Sequence, residues 1–419
     1  MRRGTPRKHI VSARIKPPYE SKGFSHHLWR AIKRTFLNVI IVIILFALLF
    51  FTDGFWMCTS PITLTPIDLS GVKKVTKEKE IPNLMDPSTR ENSELMFVDH
   101  LYENVVSGPE SFVFYGNSII TTCADGKVMM LKPNNESSDL YSRCDKPDTE
   151  KVCGRPLGIE LVDNRTLFFV DSYHGLFSLD LETQKQTRLF PKPEDSDFDI
   201  LNSTYRFLNS LQVDDQSIYF TLSSDHNNRE DFVNAFMEPD CTGRIIKLDR
   251  KSLEHSTVLS NLCFPNGLST DTGDENYLIV SELSYARVLR VNKHSGEYTV
   301  FADGLPGFPD NIRTDGKGYW VGFSGVRFSA FANLIYERAF IRVVTKYLNT
   351  MHILNPVNMV PPYGLVGYID QKGTLTKLLH DPSGQGAQKI SEAAPHGGYL
   401  YIGSYHPKFK WVSRYKLKN

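Results

Sequence analysis

The chain has 419 residues, of which 41% are hydrophobic and 23% are charged. This composition is ordinary for a globular protein and excludes global disorder, and the length allows one large fold or about two to three ordinary domains. The formal net charge of +1 hides an asymmetry, because residues 1–35 contain ten Lys or Arg and one acidic residue, Glu20. We interpret this asymmetry as a signal for a membrane partner and not for nucleic acid.

An apolar run, FLNVIIVIILFALLFF, spans residues 36–51 and contains one polar residue, Asn38. Together with Phe55 and Trp56 it is just long enough to cross a bilayer, which takes about 20 mostly apolar residues. A cleaved signal peptide is the main alternative, but the basic region before the run is too long and no small-residue cleavage pattern follows it. A buried core helix is a weaker alternative. We predict a transmembrane signal-anchor helix at 35–56.

The charge pattern also predicts the orientation, because positive flanking residues remain in the cytoplasm. We expect a single-pass type II membrane protein with a basic cytoplasmic tail at 1–34 and a stalk at 57–95. The ectodomain, 96–419, would then be lumenal or extracellular, in the endoplasmic reticulum or at the plasma membrane.

An oxidising location makes the six cysteines informative. We predict one small-loop disulfide between Cys144 and Cys153 and a second between Cys241 and Cys263, which flank a hairpin-like segment. Two further cysteines have no obvious partner: Cys58 and Cys123. Three glycosylation sequons fall on the same predicted side of the membrane, at Asn135, Asn164 and Asn202.

Beyond the stalk, short apolar or alternating runs recur between turns rich in Gly, Asp and Asn, which is typical of an all-β domain. Six segments share an opening with Pro, Gly or Asn, followed by a strand, a turn and a strand. They begin at residues 108, 154, 207, 264, 308 and 390. Repeats of about 40–50 residues are typical of four-stranded propeller blades. The sequence therefore predicts a six-bladed β-propeller, whereas a pair of β-sandwiches would explain the strands but not the shared openings.

The openings also carry oxygen-bearing side chains. The first strand of each propeller blade lines the central channel, so equivalent residues converge on its axis. Asn and Asp are common turn formers, but carboxylate and amide oxygens at equivalent places in four repeats favour a Ca²⁺ site. The candidate ligands are Glu110, Asn209, Asn266 and Asp310, with Asn311 as a further one.

Several motifs carry a resemblance to a known family: GPES at 108–111, CGRPLGI at 153–159, FPNG at 264–267, GFPDNI at 307–312 and LHDPSG at 379–384. The chain resembles the strictosidine synthase-like proteins along its whole length. The resemblance implies the six-bladed propeller that this family shares with paraoxonases, regucalcin and gluconolactonases. It also implies a calcium-centred domain with arylesterase activity, and its metal positions fall on Glu110, Asn209, Asn266 and Asp310.

Two positions depart from the family pattern. Plant condensing enzymes of this family have a catalytic Glu before His-Asp-Gly in the last blade, where this chain has Pro395 before His396. Proline cannot transfer a proton, so strictosidine synthase activity is not expected. Related members carry an acid where this chain has Ser210, and its loss should weaken the support for a cation.

Ester hydrolysis needs a base that activates water beside a carbonyl-polarising ion. The candidate bases are His396 and His174, because imidazole titrates near neutral pH, although each is more readily explained as a structural or surface residue. The sequence contains no G-x-S-x-G nucleophile motif, Walker loop or complete dinucleotide fingerprint.

An insertion lies between the fifth and sixth openings. Residues 326–348 lack Pro and Gly and place apolar residues at helical spacing beside Arg338, Arg342 and Lys346. We predict a helix, either packed over the propeller face or serving as a lid that shapes an apolar pocket or touches the membrane.

The leading functional hypothesis is a calcium-dependent hydrolase ectodomain with arylesterase activity on small aryl or lipophilic esters. The alternative is a non-catalytic propeller with a structural metal, which binds a protein partner at the cell surface or in the endoplasmic reticulum.

Overall fold

The computed structural model describes residues 90–418 except 147, 196–197, 238–240, 329–338 and 361, and in addition Lys33, Thr35, Phe36 and Ile40, which are helical. Apart from these four residues, the predicted tail at 1–34, the predicted transmembrane helix at 35–56 and the stalk up to residue 89 lie outside the described part of the chain, as does Cys58. Within that described part, no helix is both long and apolar enough to cross a membrane. The chain divides into two units, Met1–Leu64 and Thr65–Asn419, and every described strand belongs to the second.

The strands form six antiparallel sheets of four strands each, and five of the sheets use consecutive strands. The first sheet contains β2 (Pro109–Tyr115), β3 (Ser118–Cys123), β4 (Val128–Leu131) and β5 (Ser137–Tyr141). The second contains β6 (Pro156–Val162), β7 (Thr166–Asp171), β8 (Gly175–Asp180) and β9 (Gln186–Phe190). The third contains β10 (Leu208–Val213), β11 (Ser217–Leu222), β12 (Gly243–Asp249) and β13 (His255–Leu262). The fourth contains β14 (Pro265–Thr270), β15 (Tyr277–Glu282), β16 (Arg287–Asn292) and β17 (Tyr298–Ala302). The fifth contains β18 (Gly307–Thr314), β19 (Gly318–Val326), β20 (Gly364–Asp370) and β21 (Leu375–Asp381).

The sixth sheet joins the two ends of the propeller. It contains β22 (Ile390–His396), β23 (Tyr399–Ser404), β24 (Val412–Lys416) and, as its outermost strand, β1 (Asp99–Leu101). Asp99 pairs with Arg414 in the ladder, and their side chains form an ion pair of 2.8 Å. The sequence places Leu95 at the end of the predicted stalk. In the structure Leu95 is fully buried in the core beside Ile402, so the last residue of the predicted stalk packs with the sheets.

Each of the six shared openings coincides with the first strand of one blade, which is β2, β6, β10, β14, β18 or β22, whereas β1 is the outermost strand of the sixth blade. The predicted all-β, six-bladed propeller is therefore confirmed. The first strands of neighbouring sheets lie very close together. A Cβ atom at Gly267 would be 2.6 Å from the Cα of Asn311, and one at Gly158 would be 2.6 Å from the Cα of Ser210. Glycine is therefore required at these two positions because no side-chain carbon fits between the strands.

Within residues 90–418, the described helices lie before β1 or in the connections between strands. They are α1 (Glu150–Cys153), α2 (Phe232–Met237) and α3 (Ala339–Thr350), with 3₁₀ turns at Glu94–Met96, Ile200–Asn202, Arg229–Asp231 and Pro356–Asn358. The helix predicted at 326–348 needs correction at its start, because Val326 pairs with Gly307 as the end of β19 and residues 327–328 form a bend. Residues 329–338 lie outside the described residues.

Both predicted disulfides are present, Cys144–Cys153 and Cys241–Cys263, and the second pair flanks the β12–β13 hairpin. Cys123 is a free buried thiol, and burial raises its pKa to about 12. The three sequon asparagines, Asn135, Asn164 and Asn202, are all exposed, and their glycosylation stays a prediction.

Candidate functional site

A β-bulge occurs near the start of the first strand in every sheet. In β2, for example, the pairing with β3 shifts register between Pro109 and Phe112, and equivalent shifts occur in β6, β10, β14, β18 and β22. A bulge inserts one extra residue and redirects the side chains beside it. The first bulged position is occupied in sheet order by Glu110, Leu157, Asn209, Asn266, Asp310 and Ser391.

Five of these residues line one cavity of about 110 Å³, the apolar Leu157 and four polar residues: Glu110, Asn209, Asn266 and Asp310. The exposed fractions of the four polar residues are only 4–5%, so the cavity holds polar groups that are almost removed from bulk water. The structure thus brings together four of the five side chains that the sequence proposed as metal ligands.

The fifth residue, Asn311, occupies the second bulged position. Its Nδ2 donates a hydrogen bond to Ser111 Oγ at 3.1 Å, which joins the fifth sheet to the first. Its Oδ1 is buried without a hydrogen-bond partner among the described residues, and so is Asn266 Oδ1. Asn311 does not line the cavity, whereas Asn266 lines it together with two carboxylates. Buried acceptors are normally satisfied, so the unpaired Asn266 oxygen beside carboxylates fits a hard cation such as Ca²⁺.

The electrostatics of the cavity fit the same kind of ion. Burial raises the pKa of Glu110, and this effect outweighs the attraction of Arg155. Burial, and then the negative charge of Glu110, raise the pKa of Asp310 well above its usual value, although a hydrogen bond from Asn266 opposes the shift. A divalent cation would relieve the cost of ionising both carboxyl groups.

The cavity offers few carboxylate ligands to a metal ion. Within the described ranges, no group of three or more His, Cys, Asp or Glu side chains is placed to hold a metal ion. Any cation in the cavity would therefore depend on amide oxygens as well as on Glu110 and Asp310. Asn209 is oriented for this role by its Nδ2, which donates to Ser223 Oγ at 2.9 Å.

A buried arginine that the sequence did not single out supports the cavity. The side chain of Arg155, in the CGRPLGI motif, is fully buried. Its Nη2 donates to Glu110 Oε2 at 3.0 Å and to the carbonyl oxygen of Tyr405 at 2.8 Å. Its Nη1 lies 3.6 Å from Glu150 Oε1. A charged residue inside an apolar strand motif was the signal that could have revealed it.

The walls of the cavity are mostly apolar and aromatic. They include Leu157 and Phe308 from the strands, Phe207, Phe264 and Leu283 from the connections beside them, and Phe232, Val233, Phe236 and Met237 from α2. The ring of Phe236 packs edge-on against Phe308, with centroids 4.7 Å apart. An apolar ligand would be removed from water between these rings.

The helix α2, which we call the roof of the cavity, is supported by the insertion between the fifth and sixth openings. Asn349 Nδ2 in α3 donates to Asn234 Oδ1 in α2 at 3.1 Å. The segment after α3 lines the cavity through Pro356, Val357 and Val360. The lid predicted at 326–348 therefore needs correction: α2 and the segment after α3 line the cavity, and α3 packs on α2.

The two histidines proposed as bases lie elsewhere. His396 is exposed at the far end of β22 and stacks on Phe114, with ring centroids 4.0 Å apart. His174 lines a separate cavity with Arg188, and burial lowers the pKa of its imidazole to about 4. Neither histidine lines the cavity that contains the polar bulge residues.

Comparison with known proteins places the chain in a family. Residues 209–294 match the family model described as strictosidine synthase. Adipocyte plasma membrane-associated protein from Mus musculus is 36% identical over 333 residues, which cover 76% of this chain and 78% of that protein. The Bos taurus protein of the same name is 33% identical over 417 residues, covering 96% and 95% of the two chains. The chain belongs to the adipocyte plasma membrane-associated protein family.

The resemblance to strictosidine synthase-like proteins is therefore confirmed. The fold also resembles a solved structure described as the calcium-binding protein regucalcin from Agrobacterium tumefaciens. That structure has a TM-score of 0.51 and 12% sequence identity, and the match covers 76% of this chain and 93% of that one. At this identity the likeness concerns the propeller fold alone.

The two departures from the family pattern have clear places in the fold. Pro395 lies in the β22–β23 ladder opposite Leu400 and does not line the cavity. Ser210, which replaces an acid, is buried, and its Oγ accepts a hydrogen bond from the backbone N–H of Leu268 at 3.2 Å. In this family member the position after Asn209 therefore links the third and fourth sheets.

Proposed function

We propose that the chain is a calcium-dependent hydrolase with arylesterase activity on small aryl or lipophilic esters, and that the bulge-lined cavity is its active site. One observation carries the proposal: two buried carboxylates and the unpaired amide oxygen of Asn266 occur together in a cavity whose walls are mostly apolar. Apolar walls with a few convergent polar groups are typical of sites for small lipophilic molecules.

The residues that would hold the ion are Glu110, Asn209, Asn266 and Asp310, with Asn311 Oδ1 nearby in the bulge. Bound Ca²⁺ would supply a Lewis acid for the ester carbonyl and stabilise the oxyanion. Phe236 and Phe308 would hold the aryl or alkyl part of the ester and exclude water around it. Because no histidine among the described residues lines the cavity, the proposed proton acceptor for water is a cavity carboxylate.

We also propose that the chain is anchored by the apolar run at 35–56 as a type II membrane protein. The name of its relatives supports membrane association. Two disulfides and exposed sequons support a lumenal or extracellular propeller, since disulfides persist in oxidising compartments.

A non-catalytic propeller that binds a protein partner is the second candidate. The placement of His174 and His396 outside the cavity favours it, because neither can act there as a base.

Hydrolysis of phenyl acetate by the full-length protein, with Ca²⁺ and after chelation, tests the proposal. We expect turnover that stops on chelation, returns with Ca²⁺, and is lost in Asp310→Asn. The control His396→Gln should keep turnover within about twofold, because His396 is exposed and far along its strand. Folded, calcium-loaded protein without turnover would refute the hydrolase and favour the non-catalytic role.

A further inference from the structure

Arg229 places a positive charge beside the roof of the cavity. It lies in the 3₁₀ turn Arg229–Asp231 just before α2, lines the cavity and is only 9% exposed. Its contacts are loose: Nη1 lies 4.0 Å from Glu150 Oε2, and the guanidinium carbon lies 5.0 Å from the centre of the Phe232 ring. A guanidinium has five N–H donors, so Arg229 retains hydrogen-bonding capacity for a ligand.

The charges around the cavity favour binding of an anion by the unused N–H donors of Arg229. Arg155 and Arg229 lie near three carboxylates, those of Glu110, Glu150 and Asp310. A fourth, Glu392, also acts on Glu110 and Asp310, but it is paired with Arg313 at 2.9 Å. A divalent cation beside Glu110 and Asp310 would leave the group with one excess positive charge. Such a site is not balanced until an anion binds, and an excess charge in a low-dielectric cavity favours one strongly.

We propose that the cavity selects lipophilic ligands that carry a carboxylate, and that Arg229 binds this group while the aromatic walls hold the apolar part. The inference rests on the proposed function because it names the substrate class of the same site. Aryl or alkyl esters with a carboxylate at one end fit this description, and so do the carboxylic acids that ester hydrolysis releases. Arginine suits this role because its planar fork matches carboxylate geometry. Arg229 is thus a specificity-determining residue.

The test compares binding of 2-naphthoate with that of its neutral isostere 2-naphthamide. The full-length protein is held in phosphatidylcholine nanodiscs with Ca²⁺, and binding is measured by calorimetry with empty nanodiscs as the blank. We expect wild-type protein to prefer 2-naphthoate. Arg229→Gln should weaken 2-naphthoate at least about tenfold and change 2-naphthamide less than about twofold. Arg229→Lys should keep most of the preference because it keeps the charge.

Arg250 provides a matched control. It also lies over a phenylalanine ring, 5.4 Å from the centre of Phe168, but outside the cavity. Arg250→Gln should leave both affinities unchanged. Equal weakening of the two ligands by Arg229→Gln, no weakening, or the same effect from Arg250→Gln would overturn the proposal. Arg229-dependent binding without phenyl acetate turnover would reject the hydrolase alone, and turnover without this preference would reject the anion site alone.

Discussion

Replacing Arg155 by methionine tests how much the buried ion pair between Arg155 and Glu110 contributes to the stability of the propeller. Arg155 is fully buried, and Nη2 contacts Glu110 at 3.0 Å and the Tyr405 carbonyl at 2.8 Å. Methionine would leave Glu110 as a buried charge without its guanidinium partner. Breaking a buried pair on one side costs about 3–5 kcal/mol, so we expect the free energy of unfolding to fall by about that amount.

Arg165 is a matched control because its contacts are as short but its side chain is 47% exposed. It lies 2.7 Å from Asp180 and 2.9 Å from Glu182. Arg165→Met should cost far less than Arg155→Met, because exposed ion pairs contribute little to stability. Urea unfolding of full-length protein, followed by tryptophan fluorescence, measures both changes.

The double variant Arg155→Met/Glu110→Gln extends this test. It should cost less than the sum of the two single changes, because neither residue then leaves a charged partner behind. A loss for Arg155→Met no larger than for Arg165→Met, or strictly additive losses in the double variant, would refute the reasoning.

Two further predictions concern packing and pH. Gly267→Ala should destabilise the protein by about 1–3 kcal/mol in urea unfolding, because its Cβ would lie 2.6 Å from the Asn311 Cα, whereas Gly273→Ala, whose nearest contact is 3.5 Å, should stay within about 0.5 kcal/mol. A similar loss at both glycines would contradict the close approach of the first strands. The pKa of His174 falls from 6.5 to about 4 on folding, so the unfolded chain binds more protons between these values and the stability present above pH 6.5 is lost as the pH drops toward 4. His174→Gln should flatten this pH dependence, whereas the exposed His294→Gln should not. An unchanged pH slope in His174→Gln would show that burial of this imidazole has no such effect.

The propeller could be predicted from the sequence because the first strand of each blade begins with similar residues. Proline, glycine or asparagine at the openings accompanies the bulge, and the bulge directs Glu110, Asn209, Asn266 and Asp310 into one cavity. The equivalent positions of these four residues in their repeats therefore predicted that they lie close together in the fold.

The parts that the sequence did not predict depend on contacts between distant segments. The strand Asp99–Leu101 has three residues, too few for a periodic pattern, and only pairing with β24 makes it a strand. The roof helix α2 is also short, with six residues, although its apolar residues in a long β11–β12 connection were a usable signal. The histidines were chosen by chemistry alone, and the direction of β22 carries His396 away from the cavity.

Binding of Ca²⁺ to the wild-type protein and to Asp310→Asn tests the central claim most directly. Calorimetric titration of the full-length protein should show one saturable site, and Ca²⁺ at about 100 times the dissociation constant should add about 2.7 kcal/mol to the free energy of unfolding. Asp310→Asn should lose both the heat and the added stability, because it removes one of two carboxylates in the cavity. Absence of saturable binding in folded wild-type protein, or equal binding by Asp310→Asn, would contradict a calcium site formed by the bulge residues.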